Sequence, residues 1–576
     1  MPPKNFGSDS VADLLRSFQV PYLPMTPGAS FRGLHDSIVN HHGNVSPELL
    51  ICIHEEHAVA IAHGYAKVTG EPLIVALHSN VGLMHAAMAI YNAWCDRVPM
   101  LIIGATGPLD AEKRRPWIDW IHTSQDQGQI IRSYCKWDDQ PTSPDGALNS
   151  ISRGMSLTKT LPHAPVYINC DTVLFEEEHE PANNQMIDGT LDQTELSGLT
   201  ERQLEQLKAS ISGSKKIVIL LGRLSRNQED FDNRVRLAEG LSATVITDLR
   251  TGSTFPTDHD LHCPPDNLMP SEKSSDAIRA ADLVLSFDWI DLGGMLRNTF
   301  TAPVAQCLTF HFSLDQVLIN GWSKDHCEPA RNTTTLLVDP NTAINQLVDI
   351  LGLTNNPFSM VKKKPRKKIS NESLSMRSLA SACYSVLESN KVTLIRTPIS
   401  WRSEDWVFSE PLDHLGFDGG GGIGSGVGMA VGGALALKHS GRLPVAVLGD
   451  GDYLMGVSGL WTAVHHDIPL LIIVANNRSF FNDELHQERV AKERGRPVAN
   501  RWVGQQIREP DIDLAAMGRA QGCVGIGPVE DPRKLIAALT EAIAVVKSGK
   551  PCVVDVRVDP GYDPHTSSAM LRVAKK

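Results

Sequence analysis

No apolar run in this 576-residue chain approaches the roughly 20 residues that cross a bilayer. The N-terminal MPPKNFGSDS also lacks a secretory apolar core. Membrane insertion and export are therefore not expected, and a cytoplasmic location is. The ten cysteines are scattered, with no CxxC pair and no Cys/His spacing of a zinc site. They read as reduced thiols rather than disulfides or metal ligands. Basic residues are in deficit: 54 Lys and Arg face 66 Asp and Glu, a net charge of -12. That balance suits solubility and gives no support for a nucleic-acid partner. One basic run, Lys362 to Lys368 within residues 352–373, breaks the pattern and reads as a solvated tether.

What is present is a globular composition, 42% hydrophobic and 21% charged. The length exceeds one ordinary core and implies roughly two to four domains. Residues 1–180 alternate short apolar strands (50–53, 73–77, 99–103, 166–169) with helix-like stretches at 56–69 and 83–94. Residues 200–353 repeat the alternation, with strands at 216–221, 243–247, 283–287 and 307–312. Residues 374–560 repeat it again, and a polar tail, 561–576, follows. A polar connection at 178–199 and the tether at 352–373 separate the blocks. Such alternation predicts parallel sheets with crossover helices, hence three doubly wound α/β domains.

The stretch 448–477 reads LGDGDYLMGVSGLWTAVHHDIPLLIIVANN. It ends one apolar run at Gly449-Asp450-Gly451 and the next at Asn476-Asn477, with room for one helix between. A parallel strand-helix-strand unit brings both run ends to one sheet edge, where ligands bind. Asp450 and Asn477 would there offer hard oxygen ligands to Mg²⁺, and the glycines would let a diphosphate approach the backbone. A second constellation is His54-Glu55-Glu56-His57, followed by AVAIAHGYAKVTG. A strand ending near residue 53 delivers a carboxylate to the sheet edge. The small residues Ala58, Ala60, Ala62, Gly64 and Ala66 then allow another surface to come close. A third feature is the glycine cluster at 419–426, with Ile423 inside it, leading into a small-residue helix at Gly426–Ala436.

Together these motifs resemble those of the thiamine diphosphate (ThDP) enzymes of the acetolactate synthase and benzoylformate decarboxylase group. The resemblance implies a pyrimidine-binding domain (1–180), a central domain (200–353) and a diphosphate-binding domain (374–560). It implies ThDP and Mg²⁺ as cofactors, with Asp450, Asn477 and the backbone carbonyl of Ser479 as metal ligands. Gly422, Gly449, Gly451 and Asp452 join the cofactor contacts, although Asp452 replaces the small residue usual there. Glu55, nine residues before the Gly-Tyr-Ala segment, takes the place of the glutamate that activates the aminopyrimidine for ylid formation. Glu56 reads as a surface or supporting residue. Ile423 matches the aliphatic wedge that bends the cofactor.

Leu77-His78-Ser79 looks like the Leu-His-Ser of benzoylformate decarboxylases, so His78 is a candidate for proton transfer. Matching Arg132-Ser133 to the Arg-Ser of acetolactate synthases puts His122 in a substrate-facing loop. Their phenylalanine-glutamine pair is His122-Thr123 here. Ala29 stands where benzoylformate decarboxylase carries a substrate-binding serine. Trp94, Trp117 and Trp120 suggest aromatic walls to a pocket. The charged segment after Asn477 reads as a helix or a lid. The central block has no GxGxxG, so FAD is not expected.

The implied activity is a non-oxidative 2-oxo acid decarboxylase acting through an enamine. An acetolactate synthase-type transferase is the alternative, with a flavin-dependent oxidase or a silent paralogue further off. The resemblance also implies at least a homodimer, commonly a homotetramer, with Glu55 of one subunit at the diphosphate site of another.

Overall fold

Three parallel sheets carry the described chain, a computed structural model covering residues 5–179, 196–265, 270–315, 330–353, 373–417 and 419–562. The basic run 362–368, most of the connection 178–199 and nearly all of the tail 561–576 lie outside the described residues. The first sheet contains β1 (Tyr22–Met25), β2 (Glu48–Ile51), β3 (Ile74–Leu77), β4 (Met100–Thr106), β5 (Trp137–Asp139) and β6 (Pro165–Asp171) in the order β2-β1-β3-β4-β6-β5. The second contains β7 (Ile217–Leu221), β8 (Thr244–Thr247), β9 (His262–Cys263), β10 (Leu283–Phe287), β11 (Leu308–Phe312) and β12 (Thr334–Leu336), ordered β12-β11-β10-β7-β8-β9. The third runs β13-β14-β15-β17-β16, from β13 (Val392–Arg396), β14 (Leu443–Gly449), β15 (Leu471–Asn476), β16 (Val524–Val529) and β17 (Cys552–Arg557). Three doubly wound α/β units were expected, and three are found.

Why these runs form central strands is plain from their burial. Every residue of β4 and of β6 is buried. Unbroken apolar strands belong in parallel sheets covered by helices on both faces. The helices that matter for function are α1 (Glu55–Thr69), α2 (Ser79–Cys95), α3 (Gly426–Ala436), α4 (Asp450–Gly456), α5 (Gly459–His465) and α6 (Phe481–Glu493). At the start of α1 the His54 ring caps the helix by accepting the Glu56 N–H, and Gly70 ends it in the left-handed conformation at φ +75°.

Helices α1 and α3 join the first unit to the third. A Cβ placed on Gly64 would stand 2.1 Å from the Met429 carbonyl oxygen, and one on Gly432 would stand 1.9 Å from that of Ile61. The small residues along α1 thus meet a matching small-residue face on α3. The first and second units are tied by charge: Arg97 and Arg223 both bond Asp315, and Arg223 also bonds Asp288 at 3.0 Å.

One element departs from expectation. The segment after Asp450 folds as two short helices, α4 and α5, not as one. Gly456 ends α4 where its Cα passes so close to the Gly424 carbonyl that a Cβ would lie 2.4 Å from it. Just beyond, the Ser458 hydroxyl and His57 Nε2 bond at 2.8 Å. The chain turns there to pass between the glycine loop and α1. Among the described residues no helix is long and apolar enough to cross a membrane.

Candidate active site

The carboxyl ends of β14 and β15 build the first half of the site. Gly449 pairs with Ala475 in register, so Asp450 and Asn477 emerge side by side. Asp450 is 4% exposed. Its carboxylate accepts the Gly451 N–H at 2.9 Å and the Ser479 N–H at 3.1 Å, and Asn477 Oδ1 accepts that same Ser479 N–H at 2.9 Å. One amide therefore gathers both side-chain oxygens. Among the described residues no cationic side chain bonds to Asp450, and burial pushes its carboxyl up to about 6 despite the backbone N–H groups that pull it down. A buried carboxylate beside an amide oxygen, with no counter-cation, is a donor set that suits Mg²⁺. The Ser479 hydroxyl donates to Glu484 at 2.5 Å. A Cβ on Gly449 would meet nothing within 4 Å, which leaves open space beside the backbone.

The glycine-rich turn forms the wall above. Gly421 and Gly424 sit at φ +69° and +109°, conformations that side chains resist. Asn92 of α2 donates to the Gly422 carbonyl and the Ser425 hydroxyl, both at 3.2 Å, and accepts the Gly422 N–H at 3.3 Å. From the other side Asp452 Oδ1 accepts the N–H groups of Gly424 (2.7 Å) and Gly426 (3.2 Å), while its Oδ2 accepts Arg396 Nε–H at 2.9 Å. The Asp452 carboxylate is thus occupied by the turn and by Arg396. Only its backbone remains for a ligand. Ile423, pinned between these anchors, is 36% exposed and is not a core residue.

Glu55 opens α1 and is 7% exposed. Its Oε2 bonds His85 Nδ1 at 3.0 Å, and Gly82 leaves room beside Oε1, where a Cβ would come to 3.2 Å. Within one chain its partner is thus His85, not the Asp450 cluster. Glu56, read as a surface or supporting residue, has intermediate exposure. It lies near Gly424, and burial followed by the charge of Asp452 raises its carboxyl above the usual range.

His78, at the end of β3, and His122, in the loop after β4, meet with ring centroids 5.1 Å apart. Ser30 Oγ and His78 Nδ1 bond at 2.7 Å. Burial, then the neighbouring His122, pulls the His78 imidazole below its ordinary value, which favours the neutral ring. Backbone bonds fix the His122 loop: its N–H donates to Asp119, and its carbonyl accepts from Gly107. Trp117 and Trp120 on this loop are exposed, at 77% and 66%. Trp94 is buried under Arg97, whose guanidinium lies 4.1 Å from the ring, so it walls no open pocket. The segment after Asn477 is the helix α6.

Sequence reasoning missed Ser30, His85 and Asn92. Position 29 is Ala, but Ser30, next along in the 3₁₀ helix Ala29–Phe31, reaches His78. His85 could have been found: it lies seven residues after His78, two helical turns along, on a similar face.

The chain matches two family models, the "Thiamine pyrophosphate enzyme, N-terminal TPP binding domain" over residues 6–130 and the corresponding C-terminal TPP binding domain over residues 400–556. It is 22% identical over 575 residues to the acetolactate synthase large subunit of Haemophilus influenzae, covering 96% of this chain and 94% of that protein. It is 21% identical over 530 residues to the benzoylformate decarboxylase of Pseudomonas aeruginosa, covering 88% of this chain and 91% of that one. The fold is shared with the thiamine diphosphate-dependent 4-hydroxybenzoylformate decarboxylase of Rhodococcus jostii (TM-score 0.77, 18% identity, 97% of this chain and all of that one). The benzoylformate decarboxylase of Polynucleobacter necessarius matches equally, with TM-score 0.77, 18% identity and the same 97% and 100% coverage. With two thiamine pyrophosphate domains in the family's order, on the family's fold, the chain belongs to the thiamine diphosphate-dependent enzymes that take in acetolactate synthases and benzoylformate decarboxylases.

Proposed function

We propose that this enzyme is a non-oxidative 2-oxo acid decarboxylase using ThDP and Mg²⁺. The observation that carries this reading is the Ser30–His78–His122 group, with its 2.7 Å hydrogen bond and 5.1 Å ring contact. ThDP, when bound, supplies the electron sink for cleavage next to a carbonyl. Asp450, Asn477 and the Ser479 carbonyl would hold the metal, and Gly449 would let a diphosphate lie against the backbone, whereas the Phe480 ring fills the space beside Gly451. With ThDP bound, Glu55 would hold a proton toward its aminopyrimidine, and Ile423 with Gly422 would support the cofactor. His78, favoured in its neutral form and oriented by Ser30, moves a proton at the substrate carbon or oxygen. His122 shapes the same pocket.

The active unit is at least a homodimer, in which Glu55 of one subunit serves the Asp450 site of another. Ile53, Met84, Ile423 and Met455 support this, because they flank Glu55, His85, the glycine turn and α4 and are exposed by 51%, 53%, 36% and 59%.

The test is a panel of aliphatic and aromatic 2-oxo acids, with ThDP and Mg²⁺ supplied, assayed for CO₂ and aldehyde. Aldehyde formation, strongest with an aromatic 2-oxo acid, is expected. Acetolactate from pyruvate as the main product would overturn this reading in favour of the synthase-type transferase.

A further inference from the structure

Two adjacent histidines of the first unit, His41 and His42, turn toward one carboxylate. Asp13, on the helix Gly7–Ser17, places its Oδ1 3.2 Å from His41 Nε2 and 2.9 Å from His42 Nε2. Adjacent side chains on an α-helix diverge by about 100° and do not share a partner. Here the chain runs as the π-helix Ser37–His41, the only one among the described residues, and such turns recur at functional sites. It brings the two rings to 4.6 Å at an angle of 57°. His42 Nε2 is buried, and Asp13 Oδ1 lies off the line that a hydrogen bond needs. This nitrogen therefore has no hydrogen-bond partner among the described residues. A buried polar atom left in that state is costly, and a bound cation would satisfy it.

We infer that Asp13, His41 and His42 form a site for a divalent transition metal of the zinc type. One ligand atom from each residue lies within 4.8 Å of the other two. Tetrahedral zinc, with bonds of about 2.0–2.2 Å to nitrogen and oxygen, spaces its ligand atoms about 3.3 Å apart. The observed 2.9 and 3.2 Å come close to that spacing. Two imidazoles and a carboxylate leave the fourth position to water. Arg16 Nη1 donates to His42 Nδ1 at 3.0 Å, which leaves the proton of the neutral ring on Nε2. Metal binding shifts that proton to Nδ1 and releases Arg16, an exposed residue. The cluster lies at the amino edge of the first sheet, because Asp13 precedes β1 and the histidines precede β2, and these strands start level at Tyr22 and Glu48. Glu55 and His78 follow the carboxyl ends of their strands, at the opposite edge. The metal thus ties the first helix to the turn before β2 and takes no part in turnover.

The test is a calorimetric zinc titration of the enzyme holding ThDP and excess Mg²⁺, with D13N, H41Q and H42Q for comparison. The wild type should take up one zinc ion per chain more than any of the three, and all four should turn over alike. R16A, with no guanidinium to release, should bind that ion about tenfold more tightly, the worth of one charge-assisted hydrogen bond. Anomalous diffraction at the zinc edge, from zinc-soaked crystals, should place the ion between Asp13 and the two rings. D13N and H41Q alter side chains that are 51% and 42% exposed, so they remain informative if H42Q does not fold. Zinc uptake in D13N and H41Q equal to that of the wild type, weaker binding in R16A, or an ion found only elsewhere would overturn the site.

Discussion

Asp450 carries the sharpest consequence at the scale of single residues. Burial lifts its carboxyl to about 6, so in the cation-free protein the proton is favoured and the ionised form is costly. A group raised in the folded state contributes stability below its unfolded value and loses it as pH rises through about 6. A Mg²⁺ ion at Asp450, as proposed, would have to compete with that proton. Mg²⁺ affinity should therefore be flat above pH 7 and fall as pH drops, about tenfold weaker at pH 5 than at pH 7.5, as proton competition at one such site requires. Calorimetric titration at the two pH values checks this, and an unchanged affinity would remove Asp450 from the metal site. His78 and Ser30 make a graded pair. His78→Ala should lower kcat by about 100-fold. Ser30→Ala, which removes one neutral hydrogen bond of about 1 kcal/mol, should lower it roughly fivefold. Equal losses in both variants would deny His78 the proton-transfer role. Residue type and spacing point to Asp450, Asn477, Glu55 and His78, because each ends or follows a strand. Ser30 escapes such reading because its bond to His78 spans 48 residues of sequence.

At the scale of elements, Asp452 ties three of them together: the start of α4, the end of β13 through Arg396, and the glycine turn before α3. The Asp452–Arg396 pair is buried, both residues being 6% exposed. Removing one partner of a buried pair takes a hydrogen-bonded counter-charge from the other. Asp452→Ser should therefore destabilise the third domain by about 3 kcal/mol. It should also speed hydrogen exchange at the Gly424 and Gly426 amides, which lose their acceptor. Denaturant unfolding with exchange mass spectrometry reads both. A stable variant with protected amides would mean that the turn holds its own shape. The helix at Gly426–Ala436 and the strands on either side of it are legible from apolar runs and small residues. The break between α4 and α5 is not, because it answers to the Gly424 carbonyl and to His57, 32 and 401 residues away from Gly456 and Ser458 in sequence.

For the whole molecule, alternation of strand and helix reveals three parallel sheets, since each crossover is local. The joints between them are invisible in the sequence. Arg97 meets Asp315 across 218 residues, and α1 meets α3 across more than three hundred. The largest question at this scale is whether the two halves of the cofactor site belong to one chain or to two. In a single chain Glu55 bonds His85 rather than any group of the Asp450 cluster, and the exposed apolar residues around both halves await a cover. Two inactive variants decide the matter. E55Q lacks one half and D450N lacks the other, so each alone should be silent. Mixed in equal amounts and allowed to re-pair at random, half of the dimers would be mixed. Each mixed dimer would hold one intact site of two, giving about a quarter of wild-type activity for a two-fold assembly with shared sites. A site built within one chain would give none, because every chain in the mixture carries a defect.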